Sequence, residues 1–326
     1  MTCVVFITTF AHPLISLLSQ KWNTQAVRGD TRLDMEMTKL WISRARAVPV
    51  SIRLECSVGW RNTYIPPTPK MVTDLLAVAQ ISTLILGIEL SVQHCVEILS
   101  CCSQIINCSF LQVTLSSDVP IIVRNPIALR RLRSLWLRTN GDLGLLFSHI
   151  TLPRLTTLSV EYLNPWDGDF WPQPEFASLV SRSACSLQKL RIHRVTMTSD
   201  KLTACLSCAP SITQVSIIDR ADGLDDALLT AMTAKPNSQP LNPRLEVIRF
   251  SGRAYADKVL VNMIESRWRP GKALTATTSQ TSSHVSRLKV VRVRVRAKLG
   301  DSWQRLQKFH TEGLDTMGSD VDVISS

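Results

Sequence analysis

Cysteine, histidine, aspartate and arginine are the residue types here whose spacing could carry chemistry. Cys205 and Cys208 form the single C-x-x-C pair of the chain. A zinc site needs four ligands, usually from two such pairs or from added histidines. The nearest histidine, His193, falls on an expected strand. The pair closes an expected helix, whereas a redox dithiol opens one. It therefore reads as buried helix thiols, and so do Cys101 and Cys102. The six histidines (His12, His94, His149, His193, His284 and His310) are scattered, and the chain has no H-E-x-x-H, G-x-S-x-G or Walker-type motif. Asp219, Asp222, Asp225 and Asp226 lack the length and closing Glu of an EF-hand loop, and carboxylates in this setting suit the first turn of a helix. Without a nucleophile–base pair or a metal constellation, the expected class is non-enzymatic, with no cofactor and no metal.

Arginine is more organised. Arg287, Lys289, Arg292, Arg294, Arg296 and Lys298 form the densest basic cluster. Arg292, Arg294 and Arg296 alternate with Val291, Val293 and Val295, and a period of two puts the arginines on one strand face. Such a face is either a surface for an anionic partner or a repulsive one that blunts a terminal edge strand. A second cluster, Arg124, Arg130, Arg131, Arg133 and Arg138, contains no acid. Nucleic-acid binding would need a reading element as well as charge, and none is present.

The elements that position these residues come from a repeat. An aliphatic residue, two variable positions, a second aliphatic, one variable position and another apolar residue recur eight times. The copies are Ile81/Leu84/Leu86, Ile105/Cys108/Phe110, Leu132/Leu135/Leu137, Leu155/Leu158/Val160, Leu187/Leu190/Ile192, Ile212/Val215/Ile217, Leu245/Ile248/Phe250 and Leu288/Val291/Val293. They start 24, 27, 23, 32, 25, 33 and 43 residues apart. The three long intervals contain polar or Pro-rich inserts at 164–174, 235–242 and 270–286, and without them the spacing returns to roughly 21–26 residues. Pro153, Pro210 and Pro243 each lie two residues before a first aliphatic position, where proline stops a helix and favours an extended chain. Helices are expected between the strands at 91–102, 175–185, 199–209 (capped by Ser199 or Asp200), 222–234 and 256–268. Alternating strands and helices give parallel connections, and each unit must stack on its neighbours to bury its apolar face.

The segment Leu132-x-x-Leu135-x-Leu137-x-x-Asn140-x-x-Leu143 resembles the leucine-rich-repeat consensus. The other copies are irregular, with Leu163, Val195, Arg220 and Arg253 at the asparagine position. Three further stretches resemble F-box-like proteins of mushroom-forming fungi. LSQKWNTQAV (18–27) is similar to the last helix of an F-box. KLWISRARAVPVSIRLE (39–55) is similar to the segment joining the F-box to its repeats, with Arg44 and Pro49 in the matching places. FASLVSRSACSLQKLRI (176–192) and LVNMIESRW (260–268) are similar to recurring repeat phrases. The resemblance covers roughly residues 15–295. It implies an α/β leucine-rich-repeat-like solenoid of parallel strands and helices that holds a protein substrate for a cullin-type ubiquitin ligase. It also implies that most of the F-box, the part that docks the ligase adaptor, is missing. The alternative is a non-catalytic repeat scaffold with no ligase link that binds an acidic protein partner.

The expected layout is a helical leader at 1–47 with an F-box remnant and linker, repeats at 48–298, and at 299–326 a helix around Trp303–Phe309 followed by a polar disordered tail. The apolar start at 4–18 has no basic residue before Lys21 and no A-x-A-like site, so a signal peptide is not expected, nor is membrane association. Nine cysteines, an odd and sparse set, suit reduced thiols in the cytoplasm or nucleus. The formal net charge of +11 is spread along the chain, and 12 glycines disfavour phosphate loops. Partner binding is expected at strand positions flanking the inward aliphatics: Trp136, Arg138, Glu161, Lys189, Arg191, His193, Arg249, Arg292 and Arg294. The insert at 164–174 is expected either to expose Trp166, Phe170 and Trp171 or to fold them back over a repeat edge.

Overall fold

Each three-aliphatic copy folds as a turn followed by a strand. A computed structural model of the chain describes residues 2–9, 50–57, 72–73, 81–114, 126–163, 171–218, 224–235, 238–251, 255–269, 285–293 and 301–316. All 24 positions of the eight copies are at most 3% exposed. The chain divides into two compact units, one comprising Met1–Leu155 with Arg182–Cys185, the other Thr156–Ser181 with Ser186–Ser326.

In the first unit, β1 (Thr2–Thr9) pairs antiparallel with β2 (Val50–Ser57). Then β2, β3 (Ile81–Gly87), β5 (Asn107–Thr114) and β7 (Ser134–Thr139) run parallel in that order. The short β4 (Leu90–Ser91) joins β5, and β6 (Ile127–Ala128) and β8 (Ile150–Thr151) form a separate parallel pair. Helix α1 (Val92–Cys101) buries Val92, Cys95, Val96, Ile98 and Leu99 and is capped by the Ser91 hydroxyl, which accepts from the His94 amide. A short α2 (Gly144–His149), not expected from the periodicity, precedes β8. The strand at 2–9 corrects part of the expected helical leader: an apolar, β-branched run finds hydrogen-bond partners along β2. Residues 10–49, with the F-box-like phrase at 18–27, lie outside the described residues.

In the second unit, β9 (Thr157–Tyr162), β10 (Lys189–His193), β11 (Gln214–Ile218), β12 (Val247–Ser251) and β13 (Val290–Val293) are parallel and in sequential order. Between them lie α3 (Gln173–Ser183), α4 (Ser199–Ser207), α5 (Asp226–Met232) and α6 (Asp257–Trp268), and α7 (Asp301–Thr311) follows β13. The last turn of α3 belongs to the first unit. Each unit is thus an α/β leucine-rich-repeat-like stack of parallel strands and helices.

The backbone repeats as regularly as the side chains. At the start of β10, the amides of Gln188 and Lys189 both donate to the carbonyl of Thr156, each at 2.9 Å. The same doubled acceptance recurs at Gln188 from Thr213 and Gln214, at Thr213 from Glu246 and Val247, and at Glu246 from Lys289 and Val290. Just upstream, the first aliphatic amide closes a turn onto the residue three before it: Leu155 to Leu152, Ile212 to Ala209, Leu245 to Asn242. Pro153, Pro210 and Pro243 occupy the second position of these turns, where their fixed φ is preorganised. Proline therefore builds the turn itself and does more than stop the preceding helix.

The helices are tied to one another in the same rhythm. Thr198, not Ser199 or Asp200, caps α4, because its side chain accepts from the Lys201 amide. That frees Ser199 to donate at 2.6 Å to Asp225, which caps α5. Asp226 in turn accepts from the Ala256 amide at the start of α6. At the opposite ends of the helices, arginine supplies donors to orphan carbonyls. Arg182 donates to the carbonyls of Phe147 and Ile150 at the end of α2 (2.6 and 2.8 Å). Arg267, fully buried, donates to Met232 at 2.6 Å, to Asn242 at 3.0 Å and to Leu241. Burial lowers its pKa to about 10, so it stays charged at neutral pH.

Replacing Arg267 with Met would leave three carbonyls without this donor. Asn242 keeps its bond from the Leu245 amide, and each buried group left orphaned costs about 1–3 kcal/mol, so a stability loss of about 2 kcal/mol or more is expected. Urea unfolding of the full chain at constant pH measures it, and an unchanged midpoint would refute the role.

Candidate functional site

Alternation along each strand sends one set of side chains inward and the other to the outer sheet face. In the second unit the described outward positions are Thr157, Ser159 and Glu161; Lys189, Arg191 and His193; Gln214, Ser216 and Ile218; Val247, Arg249 and Ser251; Val290 and Arg292. Four of these are cations and one, Glu161, is an acid. The parallel register aligns Ser159, Arg191, Ser216, Arg249 and Arg292 in one row across the strands. Arg191 and Arg249 are exposed. Ser216 between them is buried, and its hydroxyl lies 3.0 Å from His193 Nε2.

His193 faces this row half-buried. Its pKa is lowered, first by desolvation and further by Arg191, Arg194 and Arg249, against an opposing pull from Glu161. Glu161 itself pairs with Arg194 at 3.7 Å. Arg194 directly follows β10 with φ 59°, a left-handed conformation, and its amide donates to Ile218. Its position was not expected to matter, since the alternating pattern ends one residue earlier.

Arg292 was expected to stand open on the sheet face, and the structure corrects this. Its guanidinium makes two parallel bonds to the Asp315 carboxylate, Nη1 to Oδ1 at 3.0 Å and Nη2 to Oδ2 at 2.9 Å. A third bond reaches the Asp315 carbonyl at 3.0 Å. The backbone also pairs there, since the Val291 amide donates to Asp315 and the Asp315 amide donates to Lys289. Residues 312–316 are therefore docked against β13 rather than part of a disordered tail, with Leu314 fully buried. Glu312 adds bonds to Arg269 and to the Trp268 indole, and Arg269 holds its carboxyl down to about 2. Residues 317–326 lie outside the described residues, as does Arg294.

The remaining expected contacts divide. Lys189 stays half-buried on β10, and it is Lys289 that reaches Glu246, at 2.7 Å. In the first unit, Trp136 is 40% exposed and aligns with Ser109 and Ile85 across β7, β5 and β3, whereas Arg138 is half-buried. Trp171 is buried at 3% and packs against Phe176 with ring centroids 5.2 Å apart, so this ring folds back; Trp166 and Phe170 lie outside the described residues.

Cys205 is buried and Cys208 half-buried, and burial raises both thiol pKa values. Cys102 is buried and its thiol is pushed up to about 12, but Cys101 is exposed, contrary to the expectation of a buried pair. Among the described residues no group of three or more His, Cys, Asp or Glu could hold a metal ion. A cleft of about 510 Å³ near the end of α4 has Lys235 as its single ionisable lining residue, so it offers no acid–base pair. Among the described residues no helix is long and apolar enough to cross a membrane.

No family model matches the chain, and no curated protein matches it. Among solved structures, a Bacteroides fragilis protein determined by a structural-genomics consortium is 14% identical with a TM-score of 0.40. The match covers 67% of this chain and 63% of that one, so this chain spans less than two thirds of that protein's length.

The His193 environment gives a titration test. A folded pKa below the ordinary value of about 6.5 means that the unfolded chain binds more protons between the two values. The stability contribution is thus full above the unfolded value and lost as pH falls through the folded one. NMR titration is expected to place the His193 midpoint below that of a free histidine. Replacing Arg191 and Arg249 with Gln should raise it, and Glu161→Gln should lower it further. A midpoint insensitive to all three would contradict this electrostatic account.

Proposed function

We propose that the chain is a protein-binding repeat module, the substrate-recognition part of an F-box-type, cullin-based ubiquitin ligase. The observation that carries the binding half is the outer sheet face of the second unit, where the register lines up Arg191, Arg249 and Arg292 in one row. Arginine forks on rigid strands suit recognition of carboxylates and raise the rate of encounter with an acidic partner. The ligase half is supported by the phrases at 18–27, 39–55, 176–192 and 260–268 that resemble fungal F-box-like proteins. The two repeat phrases contain Arg182 and Arg267, so what they share has a structural use. The cytoplasm or nucleus is the proposed compartment, which suits the seven free cysteines among the described residues.

The test is reconstitution of the full chain with a purified cullin-ligase adaptor, read by size-exclusion chromatography and calorimetry. A stoichiometric complex is expected where an F-box is present, of which residues 18–27 resemble the last helix. Failure of folded protein to bind retires the ligase link and leaves the second reading, a repeat scaffold for an acidic protein. That reading is favoured independently by the carboxylate already seated on Arg292.

A further inference from the structure

We propose that Arg191, Arg249 and Arg292 are successive carboxylate positions for one extended, acidic polypeptide segment crossing the strands, and that the chain's own Asp315 occupies the last of them. The inference rests on the reading of this sheet face as a protein-binding surface and adds which residues read the partner and what they read.

The Arg292–Asp315 pair displays the chemistry. A planar fork takes both oxygens of a carboxylate, and the same guanidinium takes the backbone carbonyl of that residue. Bidentate pairing of this kind is among the stronger charge-assisted hydrogen bonds. The ligand here is a short polypeptide stretch, fixed by two backbone bonds to Lys289 and Val291 and by the buried Leu314 side chain. One acidic residue of the chain, bridged to the edge strand at a single position, is thus held at one end of the row.

The other two positions repeat the donor without an internal acid. Arg249 is the register partner of Arg292, and Arg191 lies two strands further on, past Ser216. Parallel strands lie about 4.8 Å apart, so Arg191 and Arg249 are separated by about 10 Å. Among the described residues neither has an ion-pair partner, and Glu161 is engaged by Arg194. Ser216, small and tied to His193, leaves the space between the forks unfilled by a long side chain. An extended segment in the polyproline-II form advances about 3.1 Å per residue with three residues per turn, so acids three positions apart share one face about 9 Å apart and would meet Arg191 and Arg249 together. The polypeptide carboxylate seated on Arg292 favours an acidic protein segment over a nucleic acid.

The test is fluorescence anisotropy of a labelled deca-glutamate peptide with the full chain, alongside deca-glutamine and an oligothymidylate of equal charge. Deca-glutamate is expected to bind saturably, and more weakly as salt is raised. The Arg191→Gln/Arg249→Gln double variant is expected to weaken binding by at least about tenfold. Asp315→Asn, which keeps the backbone bonds at that residue, is expected to tighten binding several-fold by freeing the third fork. Matching thermal midpoints establish that the variants remain folded, and Arg191→Lys/Arg249→Lys, keeping charge without the fork, should recover only part of the affinity. Unchanged affinity in the double Gln variant overturns the row. Unchanged affinity in Asp315→Asn overturns the occupancy by Asp315. Equal or tighter oligothymidylate binding through the same arginines overturns the choice of a protein ligand. Adaptor reconstitution is scored separately: a chain that binds adaptor but not deca-glutamate loses the row and keeps the ligase reading. The converse result keeps the row and ends the ligase link.

Discussion

The doubled hydrogen bond at the start of β10, β11, β12 and β13 is the constraint on which the rest of that stack depends. Two consecutive amides converge on one carbonyl of the preceding repeat, at Thr156, Gln188, Thr213 and Glu246 in turn. This sets where each parallel strand begins relative to its neighbour. A slip of one residue would send every inward aliphatic to the outer face, because side chains alternate with a period of two. The same register then places Arg191, Ser216, Arg249 and Arg292 in one line. Core burial and the charged row are therefore one geometric fact seen from opposite faces of the sheet.

Helix packing follows from the same stacking. A helix end buried between repeats leaves carbonyls that water cannot reach, and these need donors. Arg182 and Arg267 meet this need from the last turn of the following helix, each reaching a carbonyl 35 residues earlier. A guanidinium suits the task because its donors fan out in a plane and can reach several acceptors at once. Serine beside each arginine assists: Ser183 accepts from the Leu152 amide and Ser266 from the Ala234 amide. Charge burial is tolerated because several carbonyls accept at once, among them Phe147 and Met232 at helix C-termini, the favourable location for a cation.

Much of this was legible in the chain because it is periodic. The eight aliphatic triplets identify the inward faces, and five of the expected helices appear within a few residues of their expected ends. What escaped was non-periodic or depended on alignment between strands. The turn role of Pro153, Pro210 and Pro243 requires knowing that the residue two positions downstream donates back across them. Helix α2 covers only 6 residues, too few for a helical period to show. Arg191 and Arg249 were identifiable as outward residues from strand alternation alone, but their common row needed the register of three strands. Trp171 sits in a polar, proline-rich insert, and its burial depends on Phe176, five residues on, facing it.

Asp315 is the sharpest case of what lay beyond the sequence pattern. The residues after α7 are polar and acidic, a composition that reads as tail. Yet Leu314 finds a fully buried site, and once it is fixed the next residue is brought to the open edge of β13. There Asp315 does two jobs. Its backbone pairs with the exposed edge, which would otherwise offer a template to another chain. Its carboxylate offsets the positive charge of Arg292, whose register neighbour Arg249 is also a cation. The edge is met at one position by the chain itself through this bridge and an acid–arginine contact, and Arg249 and Arg191 farther along the row have no ion-pair partner among the described residues.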